Sequence, residues 1–125
     1  MKTLSKYSLG VGDRFAHEGK AQLRAIMKAN KAGLEIVPVW NKSNREHTYV
    51  HSTPADTRKE ADEAVKALGY KGQYLVDADH INLNTVAPFV SVSDFYTLDV
   101  AAYIGKESPK TEIEAFLSSC KKYIG

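Results

Sequence analysis

The chain has 125 residues, enough for one domain with a real core and hardly enough for two. A hydrophobic fraction of 43% and a charged fraction of 26% exclude wholesale disorder. The net charge of +2 comes from 17 basic and 15 acidic residues with no basic block, which gives no reason to expect nucleic acid or a membrane surface as partner.

Met1 to Lys6 lacks the apolar run of a signal peptide, and no stretch nears the roughly 18 apolar residues of a membrane span, so a cytoplasmic protein is expected. Tyr7 to Gly12 reads as a short buried strand ending at Asp13-Arg14. Glu18 to Ala32 carries Leu23, Ile26 and Met27 at helical spacing, and Gly33 stands where a helix terminates. Leu34 to Trp40 reads as the second strand, with Pro38 at a position whose hydrogen bond is dispensable. A polar loop is expected from Asn41 to Ser52. A helix then opens with Thr53 as N-cap, Pro54 in the first turn and Asp56 three residues after the cap. Its apolar stripe is Ala61, Ala64, Val65 and Leu68, and Gly69 ends it. Gln73 to Val76 reads as the third strand, running into Asp77-Ala78-Asp79-His80. Asn84 is placed to cap a short helix reaching Val92, with Pro88 near its start. Phe95 to Leu98 is a fourth strand, ending at Asp99. Ser108-Pro109 repeats the cap-then-proline signal ahead of a last helix, whose stripe is Ile113, Phe116, Leu117, Cys120 and Ile124. Cys120, the single cysteine, cannot form an internal disulfide and reads as a buried thiol in a reducing compartment.

Strands separated by helices imply a parallel sheet, because parallel neighbours need a crossover. Strands apolar throughout suit a sheet covered on both faces. The fold class is therefore α/β, with about four β/α units. A complete eight-unit barrel takes about 250 residues, so four units make half of a (β/α)8 TIM-type barrel or a small open sheet. Half a barrel leaves two unpaired edges, which calls for the remainder of a larger barrel domain or a homodimer.

Each strand is followed by an abrupt polar turn: Asp13-Arg14, then Asn41 to His47, then Asp77, Asp79 and His80, then Asp99. In β/α folds the carboxyl ends of the strands share the face where ligands bind, so these groups are expected to converge on one rim. Carboxylate plus imidazole in Asp77-Ala78-Asp79-His80 is a ligand type used for zinc, manganese, nickel or iron(II); the plain alternative is a polar loop. Lys42 and Arg45 read as anion holders or as solvated charge. Asp13-Arg14 reads equally as an ion pair at the mouth or as a substrate contact. His47 suits acid–base work by its ordinary pKa, whereas His17 and His51 read as helix-flanking residues. Gly10-Val11-Gly12 lacks the third glycine of a dinucleotide fingerprint. No phosphate-binding glycine loop and no serine-hydrolase elbow is present.

Several segments together resemble the tagaturonate/fructuronate epimerase family. Tyr7 to Phe15 is similar to its first-strand signature, and Pro38-Val39-Trp40-Asn41-Lys42-Ser43-Asn44-Arg45-Glu46-His47 to its second-strand loop. Val76 to Ile81 and Phe95 to Asp99 resemble its third and fourth strands, in the family's order. Where some members carry a histidine shortly after Asp99, this chain has Val100-Ala101-Ala102-Tyr103. The resemblance implies a metal-dependent hexuronate epimerase of barrel type, of which residues 1–125 form an amino-terminal segment inactive alone. It implies a keto-hexuronate substrate, fructuronate and tagaturonate being interconverted, with retro-aldol cleavage and re-addition favoured over transient oxidation. Residue by residue, it makes Asp79 and His80 ligands of a divalent metal ion (zinc, manganese, nickel or iron). Asp77 becomes the base, or else the group orienting His80. Arg14, Lys42 and Arg45 hold the uronate carboxylate and hydroxyls, Asn41 bonds a hydroxyl, and His47 is a further contact. Asp13 positions Arg14, and Asp99 gives structural support. The alternatives are a non-catalytic half-barrel that dimerises or binds a small sugar acid, and another barrel hydrolase or isomerase acting on sugars.

Overall fold

A computed structural model describes residues 4–123. In chain order the elements are β1 (Tyr7–Val11), α1 (Gly19–Lys31), β2 (Ile36–Ser43), α2 (Asn44–Tyr49), α3 (Pro54–Leu68), β3 (Leu75–Ile81), β4 (Phe95–Leu98) and α4 (Lys110–Cys120). Single 3-10 turns occupy Ala87–Phe89 and Lys121–Tyr123. The strands lie in the order β1-β2-β3-β4, and every neighbouring pair is parallel. This is the expected half of a TIM-type barrel. No helix among the described residues is long and apolar enough to cross a membrane.

Strand alternation sorts the sheet into two faces. On the outer face Trp40 and Val76 pack with Leu23 of α1 and with Ala61 and Ala64 of α3, all almost fully buried. On the inner face Val37, Val39 and Leu75 pack together with Phe95. The anticipated stripes of α1 and α3 are thus the ones that meet the sheet. Pro38 fits because the ladder between β2 and β3 starts only at Val39. Thr53 and Asp56 form the anticipated capping box, and Gly69 takes the left-handed conformation that closes α3. Arg58 on α3 pairs with Asp94, and its Nε donates to the Val92 carbonyl at 2.9 Å, tying α3 to the approach of β4.

Five local expectations are corrected. Asn41, Lys42 and Ser43 continue β2 in register with Asp77, Ala78 and Asp79 of β3, and α2 follows without a loop. Likewise β3 starts at Leu75 and runs through the polar stretch to Ile81, because pairing on both sides outweighs the low strand preference of Asp. The helix expected from Asn84 is one 3-10 turn. Asn82 is the turn-former there, its Oδ1 accepting from the Asn84 N–H at 2.9 Å. In α4 the N-cap is Pro109 and makes no side-chain bond. No residue of α4 is buried, with Phe116 64% exposed and Cys120 half-buried, because no described element covers the stripe. Ile124 lies outside the described residues.

Candidate active site

Above the apolar inner layer of Val39 and Leu75, the next inward positions are Asn41 and Asp77, then Ser43 and Asp79. On β4, Thr97 is inward because it follows Phe95 by two residues. The carboxyl end of the sheet therefore turns polar within one residue pair. Gly12 lets β1 approach this layer: a Cβ there would stand 2.4 Å from the Asn41 carbonyl oxygen.

Two features shape the rim. Ser43 ends β2 and caps α2 at once. Its Oγ accepts from the Glu46 N–H at 3.3 Å, and Glu46 Oε2 takes the Ser43 N–H at 3.0 Å and its hydroxyl at 2.9 Å. These contacts and the Arg14 guanidinium hold the Glu46 carboxylate below its usual pKa, with the Ser43 N–H the largest cause. That box sets Arg45, on the first turn of α2, at the mouth. The second feature is on β3, where Asp77 is buried and its carboxylate accepts from the Thr97 N–H at 3.1 Å and hydroxyl at 2.7 Å. Burial pushes the Asp77 pKa up against those bonds. At His80 the backbone turns with φ +51°, a conformation uncommon for residues other than glycine. The β3–β4 register shifts between Ala78 and Ile81. The turn brings His80 Nδ1 to 2.7 Å from Asp79 Oδ1, which raises the imidazole pKa.

Ser43, Arg45, Glu46, Asp79, His80 and Asp99 surround one cavity of about 330 Å³. Arg14, Arg45, Glu46 and Tyr49 surround a second of about 370 Å³, and Arg14 Nε lies 3.9 Å from Glu46 Oε1. Glu46 and Arg45 thus join the two spaces. Of the residues singled out from sequence, Arg45, Asp79, His80 and Asp99 come together, Arg14 adjoins them, and Asn41 and Asp77 lie on the inner face beneath. Asp99 also accepts from the Ala101 N–H at 3.3 Å, shaping the turn after β4.

Lys42 and His47 are placed otherwise. Lys42 shares the outer face with Trp40; both it and His47 are 3% exposed. His47 packs its ring 5.7 Å from that of Phe89, and burial, then the Lys42 charge, lower its pKa to about 4. It is neutral at physiological pH. Asp13 does not pair with Arg14. It accepts backbone N–H groups from Phe15, His17 and Glu18 at 2.8 to 3.2 Å, serving the donors that precede α1. Beside it stands Glu60 of α3, whose pKa burial and the Asp13 charge push up to about 7. Arg14, Lys42 and Glu60 border a third space of about 340 Å³.

Sequence reasoning passed over Ser43, Glu46 and Thr97. The signal for the first two was Ser43-Asn44-Arg45-Glu46, a capping-box spacing hidden in what read as a loop. His80 and Asp79 are a suitable donor pair in kind, and Nε2 is the imidazole nitrogen left for a ligand. Among the described residues no three His, Cys, Asp or Glu side chains gather closely enough to hold an ion.

Residues 1–123 match the family described as UxaE, tagaturonate epimerase. The chain belongs to this family. No curated protein matches it. A solved structure is similar in fold, the glycerol-complexed fructuronate-tagaturonate epimerase UxaE from Cohnella laeviribosi, with a TM-score of 0.67 and 21% identity. The likeness covers 90% of this chain and 26% of that one, so the chain spans about a quarter of its length. In this member of the tagaturonate epimerase family, the polar rim is carried by four strand ends.

Proposed function

We propose that this segment supplies the rim of a keto-hexuronate epimerase, interconverting fructuronate and tagaturonate, as the amino-terminal part of a larger barrel. Family membership supports the reaction. The observation that carries the site is the cavity where Arg45, Asp79, His80 and Asp99 meet at the strand ends.

The carbon to be inverted lies one position beyond the carbon next to the ketone, so enolisation alone does not reach it. Retro-aldol chemistry does. A base takes the proton from the hydroxyl on that carbon, and the bond to the carbon next to the ketone breaks. Its electron pair passes into an enediolate, and the resulting aldehyde turns and is re-attacked on its other face. Asp77 is the proposed base: burial raises its pKa, and Thr97 holds the carboxylate still. Arg14 and Arg45, sharing a cavity, are the proposed holders of the uronate carboxylate, and Asn41 bonds a hydroxyl. Asp79 and His80 would hold a divalent metal together with donors from elsewhere in the protein. Such an ion, when bound, polarises the ketone and stabilises the negative charge that develops.

The test is incubation of the complete protein, as its gene encodes it, with fructuronate. Tagaturonate is the expected product, chelation abolishes its formation, and a divalent ion restores it. Turnover that survives exhaustive chelation contradicts the metal assignment, and no product at any metal supply contradicts the reaction.

A further inference from the structure

We propose that Lys42 is a positioning residue that acts on the substrate's carboxylate through Arg14, an inference that rests on the epimerase reading of the rim. Lys42 occupies an outward position where its neighbours Trp40, Val76 and Ala78 are buried and apolar. A charge there is costly unless it is fully engaged. Its ammonium donates to the Arg14 carbonyl at 2.5 Å and to Ser52 Oγ at 3.0 Å. It thereby ties the loop after β1 to the loop after α2, at a point on β2 between them.

The direction of the chain of bonds follows from donor arithmetic. An ammonium only donates, so the Ser52 oxygen accepts from Lys42, and its own proton is free for His47 Nδ1 at 2.9 Å. His47 is neutral, and in the tautomer with its proton on Nε2 the Nδ1 lone pair takes that hydroxyl. Lys42, Ser52 and His47 thus form one network of bonds, and Lys42 and Ser52 border the space of about 340 Å³ that Arg14 also lines.

What it fixes is Arg14. The Arg14 side chain is more than half exposed and pairs with Glu46 at 3.9 Å. Its backbone is anchored by Lys42. With the carbonyl held, Arg14 lines the cavity of about 370 Å³ together with Arg45. Paired guanidiniums suit one planar carboxylate. A buried lysine and an exposed arginine thus form a single device.

Fructuronate binding to the complete protein, measured by calorimetry, tests this with Lys42→Met, Arg14→Gln and the double variant. Each single change is expected to weaken binding about tenfold, and the double to be no weaker than Arg14→Gln within about twofold. A ketohexose, with hydroxymethyl in place of the carboxylate, is expected to bind wild type and Lys42→Met alike. Multiplying losses, or equal weakening toward the neutral sugar, overturn the inference while leaving the epimerase reading in place. Wild type that binds no fructuronate overturns both. Should Lys42→Met fail to fold, Ser52→Ala serves in its place. It is expected to weaken fructuronate binding about threefold, and not at all in the Arg14→Gln background; any further loss there contradicts the proposal.

Discussion

A half-buried carboxyl and a buried imidazole at the outer side of the rim pull stability in opposite directions with pH. The Glu60 carboxyl has a folded pKa of about 7, above its ordinary value, because it is buried beside the ionised Asp13. Its contribution is present in full below the unfolded pKa and is lost as pH rises through about 7. His47 has its folded pKa lowered to about 4, so its contribution is present above the unfolded value of 6.5 and is lost as pH falls through about 4. Glu60→Gln keeps the shape and removes the ionisation. Thermal unfolding from pH 5 to 8 is expected to lose its decline on the alkaline side in this variant and to keep its decline on the acid side. An unchanged alkaline limb contradicts the assignment. Gly19 belongs to the same contact, since a Cβ there would lie 2.8 Å from Glu60 Cγ.

At the scale of elements, burial divides the helices into those that hold the sheet and one that does not. Leu23 of α1 is fully buried against Trp40, Ala61 and Val76, and Leu23→Ala is expected to cost about 2–5 kcal/mol in denaturant unfolding. Phe116 of α4 is mostly exposed, and Phe116→Ser in the 125-residue chain is expected to change stability by no more than about 0.5 kcal/mol. It is also expected to reduce binding of a hydrophobic dye, since Phe116 lines an apolar groove with Leu83, Tyr96, Leu98, Val100 and Tyr103. Equal losses from the two changes contradict this division. The helices α1 and α3 were legible in the sequence because their apolar residues recur at helical spacing and their ends carry caps and glycines. The strand ends were not. Asn41-Lys42-Ser43 and Asp77-Ala78-Asp79-His80 are polar, and only the pairing of β2 with β3 and of β3 with β4 shows that they belong to strands. Missing that persistence hid the parity that turns Lys42 outward with Trp40 while Asn41 and Ser43 face inward. The contacts of Asp13 were equally out of reach, because its partners are backbone N–H groups set by the loop's path.

For the molecule as a whole, a four-stranded parallel sheet leaves β1 and β4 each with one neighbour, and apolar side chains stand exposed near both edges, among them Leu9 and Leu98. Alternation of strand and helix was enough to read a parallel sheet, because a parallel pair needs a covering crossover, and it left half a TIM-type barrel and a small open sheet both open. The convergence of Arg45, Asp79, His80 and Asp99 was legible for the same reason: it follows from topology, which puts all strand ends on one side. The split between that cavity and the buried Lys42–Ser52–His47 network is a matter of side-chain direction, which topology leaves open. The central claim is that His80, turned out of β3 by its positive φ and held by Asp79, stands at the reacting centre. Turnover of fructuronate by the complete protein carrying His80→Ala tests it most directly. The account predicts a fall of about a hundredfold or more with the fold intact, and wild-type turnover in that variant would contradict it.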